Sequence, residues 1–166
     1  MEMNKSLINK FIEEHSETIK KFDELKIVHA IELITKAIDN CATIFWCGNG
    51  GSASQANHLS AELIGGMHKN KINPFNSICL NVDTAFLTAW SNDDSFENIF
   101  SRQLQANGKK GDILIGLSTS GNSCNINNAA AHAKKSGIKV ISLTGNDGGK
   151  LKEISDLNIN VDSEST

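Results

Sequence analysis

The sequence predicts an α/β fold: a three-layer α/β/α sandwich built on a five-stranded parallel sheet and preceded by N-terminal helices. Three observations carry this. Five short apolar runs alternate with segments of helical periodicity after residue 40. The runs are mostly apolar rather than alternating, as strands covered on both faces are. Two of them end in loops of Gly, Ser and Asn, and each loop opens a helical segment.

Taken in order, residues 4–40 read as two helices. Leu7, Ile8, Phe11, Ile12, His15 and Ile19 follow helical spacing in the first. Leu25, Val28, Ile31, Leu33, Ile34, Ala37 and Ile38 give the second a broad apolar face, and Asp23 between them is a natural cap. Strands are predicted at 43–47, 77–82, 112–117, 138–143 and 157–161. Helices are predicted at 52–65, 84–90, 95–107, 123–136 and 149–154. The division is therefore N-terminal helices over 1–40, for packing or oligomerisation, and the alternating domain over 41–166. Open parallel sheets bind ligands at the carboxyl ends of their strands, and the glycine-rich loops all fall on that edge.

Composition narrows the function. A chain of 166 residues suffices for one domain with a real core. Net charge is −3 and no basic stripe appears, so a nucleic-acid partner is not expected. No long apolar stretch follows Met1, so neither a signal peptide nor a membrane span is expected, and the location expected is cytoplasmic. Cys41, Cys47, Cys79 and Cys124 form no CxxC pair and read as buried free thiols.

The loop Cys47-Gly48-Asn49-Gly50-Gly51-Ser52 joins the first predicted strand to a helix. Its glycines allow close approach of backbone to a ligand, and Ser52 reads as the N-cap. The spacing is neither GxGxxG nor a Walker A loop, so a dinucleotide or a nucleoside triphosphate is a poor fit. The loop Ser118-Thr119-Ser120-Gly121-Asn122-Ser123 is more specific. A turn into a helix needs one capping hydroxyl. Ser118, Thr119, Ser120 and Ser123 supply four, as binding of a phosphate by neutral donors and a helix N-terminus requires.

His58 and Glu62 stand four residues apart in the helix after the first loop, on one face. Such a pair either shares a metal ion, or places Glu62 as a general base, or is a surface ion pair. Asn92-Asp93-Asp94 carries two readings: Asp93 or Asp94 caps the helix that follows, or Asn92 and Asp93 hold sugar hydroxyls.

On these residues the chain resembles the sugar isomerase (SIS) domain family, and within it the phosphoheptose isomerases. The resemblance extends from about residue 40 to the end. Besides both loops, His58, Glu62 and Asn92-Asp93, it rests on Asp83-Thr84, Phe100-Ser101-Arg102-Gln103, Gly111-Asp112, Leu143-Thr144-Gly145, Asp147-Gly148-Gly149 and Ser163-Glu164-Ser165-Thr166. It implies a flavodoxin-like SIS fold, a homotetramer with sites between subunits, and isomerisation of sedoheptulose 7-phosphate to D-glycero-D-manno-heptose 7-phosphate for surface-glycan heptose. By position it implies substrate contacts from Asn49, Gly50, Gly51, Asn92 and Asp93. It assigns the phosphate to Ser118, Thr119, Ser120 and Ser123, with Ser52 close by. Glu62 is then the base, and His58 with Glu62 supplies two ligands to a zinc ion. The remaining ligands, a Gln and a His, are expected beyond residue 166, in a final helix that the domain as given lacks.

One departure bears on substrate identity. Related isomerases carry a Gly-Arg pair where this chain has Gly65-Gly66, and Lys69 is the nearby cation. Alternative readings are therefore a non-catalytic SIS protein that senses a sugar phosphate or binds a partner such as a replication initiator, and an isomerase of another sugar phosphate.

Overall fold

The computed structural model describes residues 2–65 and 74–163. The elements are α1 (Glu2–Lys20), α2 (Glu24–Asp39), β1 (Ile44–Gly48), α3 (Gly51–Gly65), β2 (Ser77–Cys79), α4 (Thr84–Asp93), a 3₁₀ turn (Phe96–Asn98), α5 (Ile99–Asn107), β3 (Ile113–Ser118), α6 (Cys124–Lys135), β4 (Lys139–Gly145), α7 (Gly149–Ile154) and β5 (Leu157–Val161). The five strands form one sheet in the order β2-β1-β3-β4-β5, and every pairing is parallel.

The core follows from strand alternation. Ile44 and Trp46 of β1 point to one face with Ile113, Ile115, Leu117 and Ile141, where Ala30, Ala37 and Ala56 of α2 and α3 cover them. Phe45 and Cys47 point to the other, with Leu114, Val140, Leu104, Ile126 and Leu151. A Cβ at Gly116 would come within 3.1 Å of the Ile126 side chain, so the glycine in β3 lets α6 lie close on the sheet. The apolar face of α2 divides: Leu33, Ile34 and Ile38 pack on the core, whereas Leu25, Val28 and Ile31 are exposed, as are Leu7, Ile8, Phe11, Ile12 and Ile19 of α1.

Asp23 caps α2 as predicted, its carboxylate accepting from the N–H groups of Leu25 and Lys26. Three local predictions are corrected. The second strand ends at Cys79 rather than residue 82, because the chain turns away and the Asn81 amide takes over, accepting from the Gly48 N–H and donating to the Gly48 carbonyl. Neither Asp93 nor Asp94 starts the next helix: α4 runs through Asp93, and Ser95 caps the 3₁₀ turn by accepting from the Glu97 N–H. The four cysteines are free, but only Cys47 and Cys79 are buried; Cys41 and Cys124 are exposed. Burial pushes the Cys47 and Cys79 thiols well up from their usual range. Gly66, His68, Lys69 and the 164–166 end of the sequence lie outside the described residues.

Asp112 fastens the start of β3. It is fully buried, and its carboxylate accepts from the Thr43 and Lys109 N–H groups at 2.8 Å each. Asp112→Ala leaves the buried Thr43 N–H without its acceptor and removes the bond from the Lys109 N–H, so a loss of about 1–3 kcal/mol is expected in urea unfolding. Asp156 gives a pH signature. Partial burial raises its carboxyl, but bonds from the Val140 N–H and the Lys139 ammonium, with the charges of Lys134 and Lys139, outweigh this and hold it below its ordinary value. The folded state thus favours the carboxylate. That stabilisation is present above the ordinary value of 3.8 and is lost as pH falls through the depressed folded value. Urea midpoints between pH 5 and pH 2 are expected to fall more steeply for the parent than for Asp156→Asn.

Candidate active site

The strand order reverses between β1 and β3: the chain goes from β1 outward to β2, then returns to the other side of β1. The loops leaving these neighbouring strands diverge at their carboxyl ends and leave a crevice between them. They are the two small-residue loops singled out above. Gly50, with φ of +54°, turns the chain from β1 into α3. The Asn49 carbonyl then accepts from Ser52 and Ala53, so Ser52 lies inside the first helical turn and is not the N-cap predicted for it. At Gly48 a Cβ would come within 2.5 Å of the Ser52 backbone, so only glycine lets the helix start this close to the strand end.

Two clefts open on this edge. One, of 290 Å³, brings Ser52 and Gln55 of α3 together with Ser118, Thr119, Thr144 and Ser163. The other, of 620 Å³, joins Asn49 and Gly50 to Asn81, Ser91 and Asn92. No charged side chain lines either cleft among the described residues. Ser52 therefore shares a cleft with Ser118 and Thr119, and Asn92 shares one with Asn49 and Gly50. Gly51, Asp93, Ser120 and Ser123 sit beside these clefts rather than in their walls. The Asp93 carboxylate accepts from the Asn92 amide at 2.8 Å, and the Ser120 hydroxyl accepts from the Asn122 N–H at 3.2 Å.

The 118–123 loop is braced by its own groups. The Ser118 hydroxyl donates to Ser123 at 3.2 Å, the Ser123 hydroxyl makes no cap bond to α6, and the Ile126 N–H in the first turn of α6 donates to the Asn125 Oδ1. The neighbouring glycine loop holds the other side: the Gly145 N–H donates to the Thr119 carbonyl, the Leu151 N–H to the Gly121 carbonyl, and the Lys150 N–H to the Asn122 amide oxygen. Gly121 has φ of +64°, and a Cβ there would overlap the Gly148 carbonyl.

His58 and Glu62 lie farther along α3, on its outer side. Their side chains approach to 3.9 Å between Nε2 and Oε1, with 73% and 34% of their surfaces exposed. Glu62 follows Gln55 by seven residues, hence on the same helix face about 10 Å farther along. Among the described residues no group of three or more His, Cys, Asp and Glu side chains surrounds a single point. The pair is therefore half of a tetrahedral set, although an imidazole nitrogen and a carboxylate oxygen are donors zinc takes, and their separation is near the roughly 3.4 Å edge of such a shell.

Sequence reasoning passed over Gln55, Asn81, Asn122 and Asn125. Asn125 is the most informative. Its amide and that of Asn49 form a reciprocal pair, each nitrogen donating to the other's oxygen at 2.9 Å. The available signal was an Asn at a helix position whose neighbours Ile126, Ala129 and Ala130 face the core.

Fold and site define a phosphosugar-binding α/β domain of the isomerase class. The SIS domain model matches residues 9–145, and the chain belongs to that family. It is 44% identical over 163 residues to the phosphoheptose isomerase of Helicobacter pylori (strain P12), covering 96% of this chain and 84% of the relative. The phosphoheptose isomerase of Aliarcobacter butzleri (strain RM4018) is 42% identical over 167 residues, with 99% and 87% covered. Among solved structures, the phosphoheptose isomerase from Neisseria gonorrhoeae superposes with a TM-score of 0.88 at 38% identity, covering 99% of this chain and 87% of that one.

Gly121→Ala tests the loop geometry. The substitution forces the 118–123 turn away from Gly148. Protection of the enzyme against thermal unfolding by millimolar inorganic phosphate is expected to be lost, while far-UV circular dichroism stays that of the parent.

Proposed function

We propose that the protein interconverts sedoheptulose 7-phosphate and D-glycero-D-manno-heptose 7-phosphate, an aldose–ketose isomerisation that supplies heptose for a surface glycan. The observation that carries this reading is the pair of clefts at the strand-order reversal, one lined by serine and threonine hydroxyls and the other by amides. They suit a phosphate at one end of a polyhydroxylated chain and the hydroxyls of its remainder.

The chemistry follows from the side chains. Ser118, Thr119 and Ser123, with Ser52 near, donate to phosphate oxygens, and the N-terminus of α6 adds its dipole. Asn49, Gly50, Gly51, Asn92 and Asp93 hold sugar hydroxyls. Fixing both ends orients the reacting carbons, so that proton transfer is intramolecular in character. Glu62 takes a proton from carbon 1 of the ketose as the carbonyl π electrons move onto the carbon 2 oxygen, which gives an enediolate. Returning the proton to carbon 2, with a hydroxyl proton passing from oxygen 1 to oxygen 2, leaves the aldehyde at carbon 1. His58 and Glu62 are the side chains that would hold a zinc ion, whose chemistry when bound is to draw electron density from a substrate oxygen.

The exposed apolar residues of α1 and α2 support assembly into a homotetramer, in which copies of these helices cover one another. No helix among the described residues is long and apolar enough to cross a membrane, which supports the cytoplasmic reading.

The test is turnover of sedoheptulose 7-phosphate by the product of the complete gene, with and without added zinc, beside Glu62→Gln and Ser118→Ala. Glu62→Gln is expected to lower kcat by about 10²–10⁴-fold with KM little changed, as loss of a general base does. Ser118→Ala is expected to raise KM chiefly. A folded oligomer without turnover would overturn the assignment and turn the search to other sugar phosphates.

A further inference from the structure

We propose that Asn125 is a positioning residue that sets the span between the phosphate end and the sugar end of the site. The inference rests on the isomerase reading above. It starts from the reciprocal amide pair of Asn49 and Asn125, 76 residues apart in sequence and joined by two hydrogen bonds of 2.9 Å.

Each partner stands at the start of a different helix. The Asn49 carbonyl accepts from the Ser52 and Ala53 N–H groups, so Asn49 sits on the turn that opens α3, with Gly50 between it and the helix. Asn125 lies in the first turn of α6, next to Ser123 of the phosphate loop, and is only 2% exposed. Its Oδ1 also accepts from the Ile126 N–H at 3.0 Å. That bond fixes the amide's orientation, oxygen toward the α6 backbone and toward the Asn49 Nδ2, nitrogen toward the Asn49 Oδ1. An amide so held transmits its orientation to Asn49. A primary amide has two N–H donors and two acceptor lone pairs. Asn49 spends one of each on Asn125, so one N–H and one lone pair stay for the sugar hydroxyls, in directions that Asn125 dictates.

The consequence is mechanical. The N-terminus of α6 takes the phosphate, whereas Asn49 lines the cleft beyond it. The pair ties the two helix starts at a fixed distance, and that distance decides which carbon of a bound sugar phosphate comes level with the reacting groups. Asn125 itself lines neither cleft. Its effect passes through Asn49.

A double-mutant cycle on kcat/KM for sedoheptulose 7-phosphate tests this, using Asn49→Ala, Asn125→Ala and both together, with inhibition by inorganic phosphate measured on each. Asn125→Ala is expected to lower kcat/KM about tenfold, to leave phosphate inhibition within about twofold, and to cost nothing further when Asn49 is already Ala. A merely structural role would lower kcat/KM and phosphate inhibition together, or make the two losses additive; either result overturns the proposal, as does a loss under about twofold. Asn125→Asp breaks the same pair from the α6 side, where an acceptor replaces the donor facing the Asn49 Oδ1 while the bond from the Ile126 N–H is kept. It is expected to give the loss seen with Asn125→Ala, and it reads the pair even if Asn125→Ala does not fold. If the parent fails to turn over this substrate, the isomerase reading fails on its own. The cycle is then run on calorimetric binding of sedoheptulose 7-phosphate, where additivity again overturns the role of Asn125.

Discussion

Everything at the carboxyl edge depends on the reversal of strand order between β1 and β3. Two neighbouring parallel strands whose connections leave in opposite directions cannot have their following loops packed against each other, and a crevice results. The strands must be apolar on both sides to be buried there, and the Ile, Leu, Phe and Trp content of β1 and β3 meets that demand. The crevice needs small residues where backbone meets backbone. Gly48 lets α3 begin against the strand end, and Gly121 lets the serine loop rest on Gly148. The hydroxyl and amide groups of the site follow from these constraints, because they sit on the turns that the reversal holds apart.

The loops are secured by different means. The serine loop is bound from outside by the N–H groups of Gly145, Lys150 and Leu151, and from within by the Ser118–Ser123 hydroxyl pair. The first glycine loop is held by side-chain amides, Asn81 on the Gly48 backbone and Asn125 on Asn49. Glu62 and His58 stand apart from both, partly exposed on α3.

Most of the fold was legible in the sequence because it is written in local patterns. The largely apolar runs of β1, β3 and β4 and the helical periodicity around them leave few choices. What escaped depends on side chains that replace backbone partners. An apolar count extends β2 to Val82, yet Asn81 already satisfies the Gly48 backbone, and the ladder has no need to continue. Ser52 resembles a cap by composition, but the left-handed turn at Gly50 starts the helix earlier. At the site, the serine loop and the His58–Glu62 pair were visible as short-range motifs. The pairing of Asn49 with Asn125 was not, since no local rule links residues on separate βα units until the sheet brings them together.

Among the described residues both clefts are lined by uncharged groups, and this has a kinetic meaning. A dianionic ligand approaching a chain of net charge −3 meets no cationic side chain in those walls to draw it in. The net negative charge repels an anion from afar, so salt, by screening that repulsion, speeds the encounter, and capture relies on short-range hydrogen bonds that select a ligand by shape and hydroxyl pattern rather than by charge.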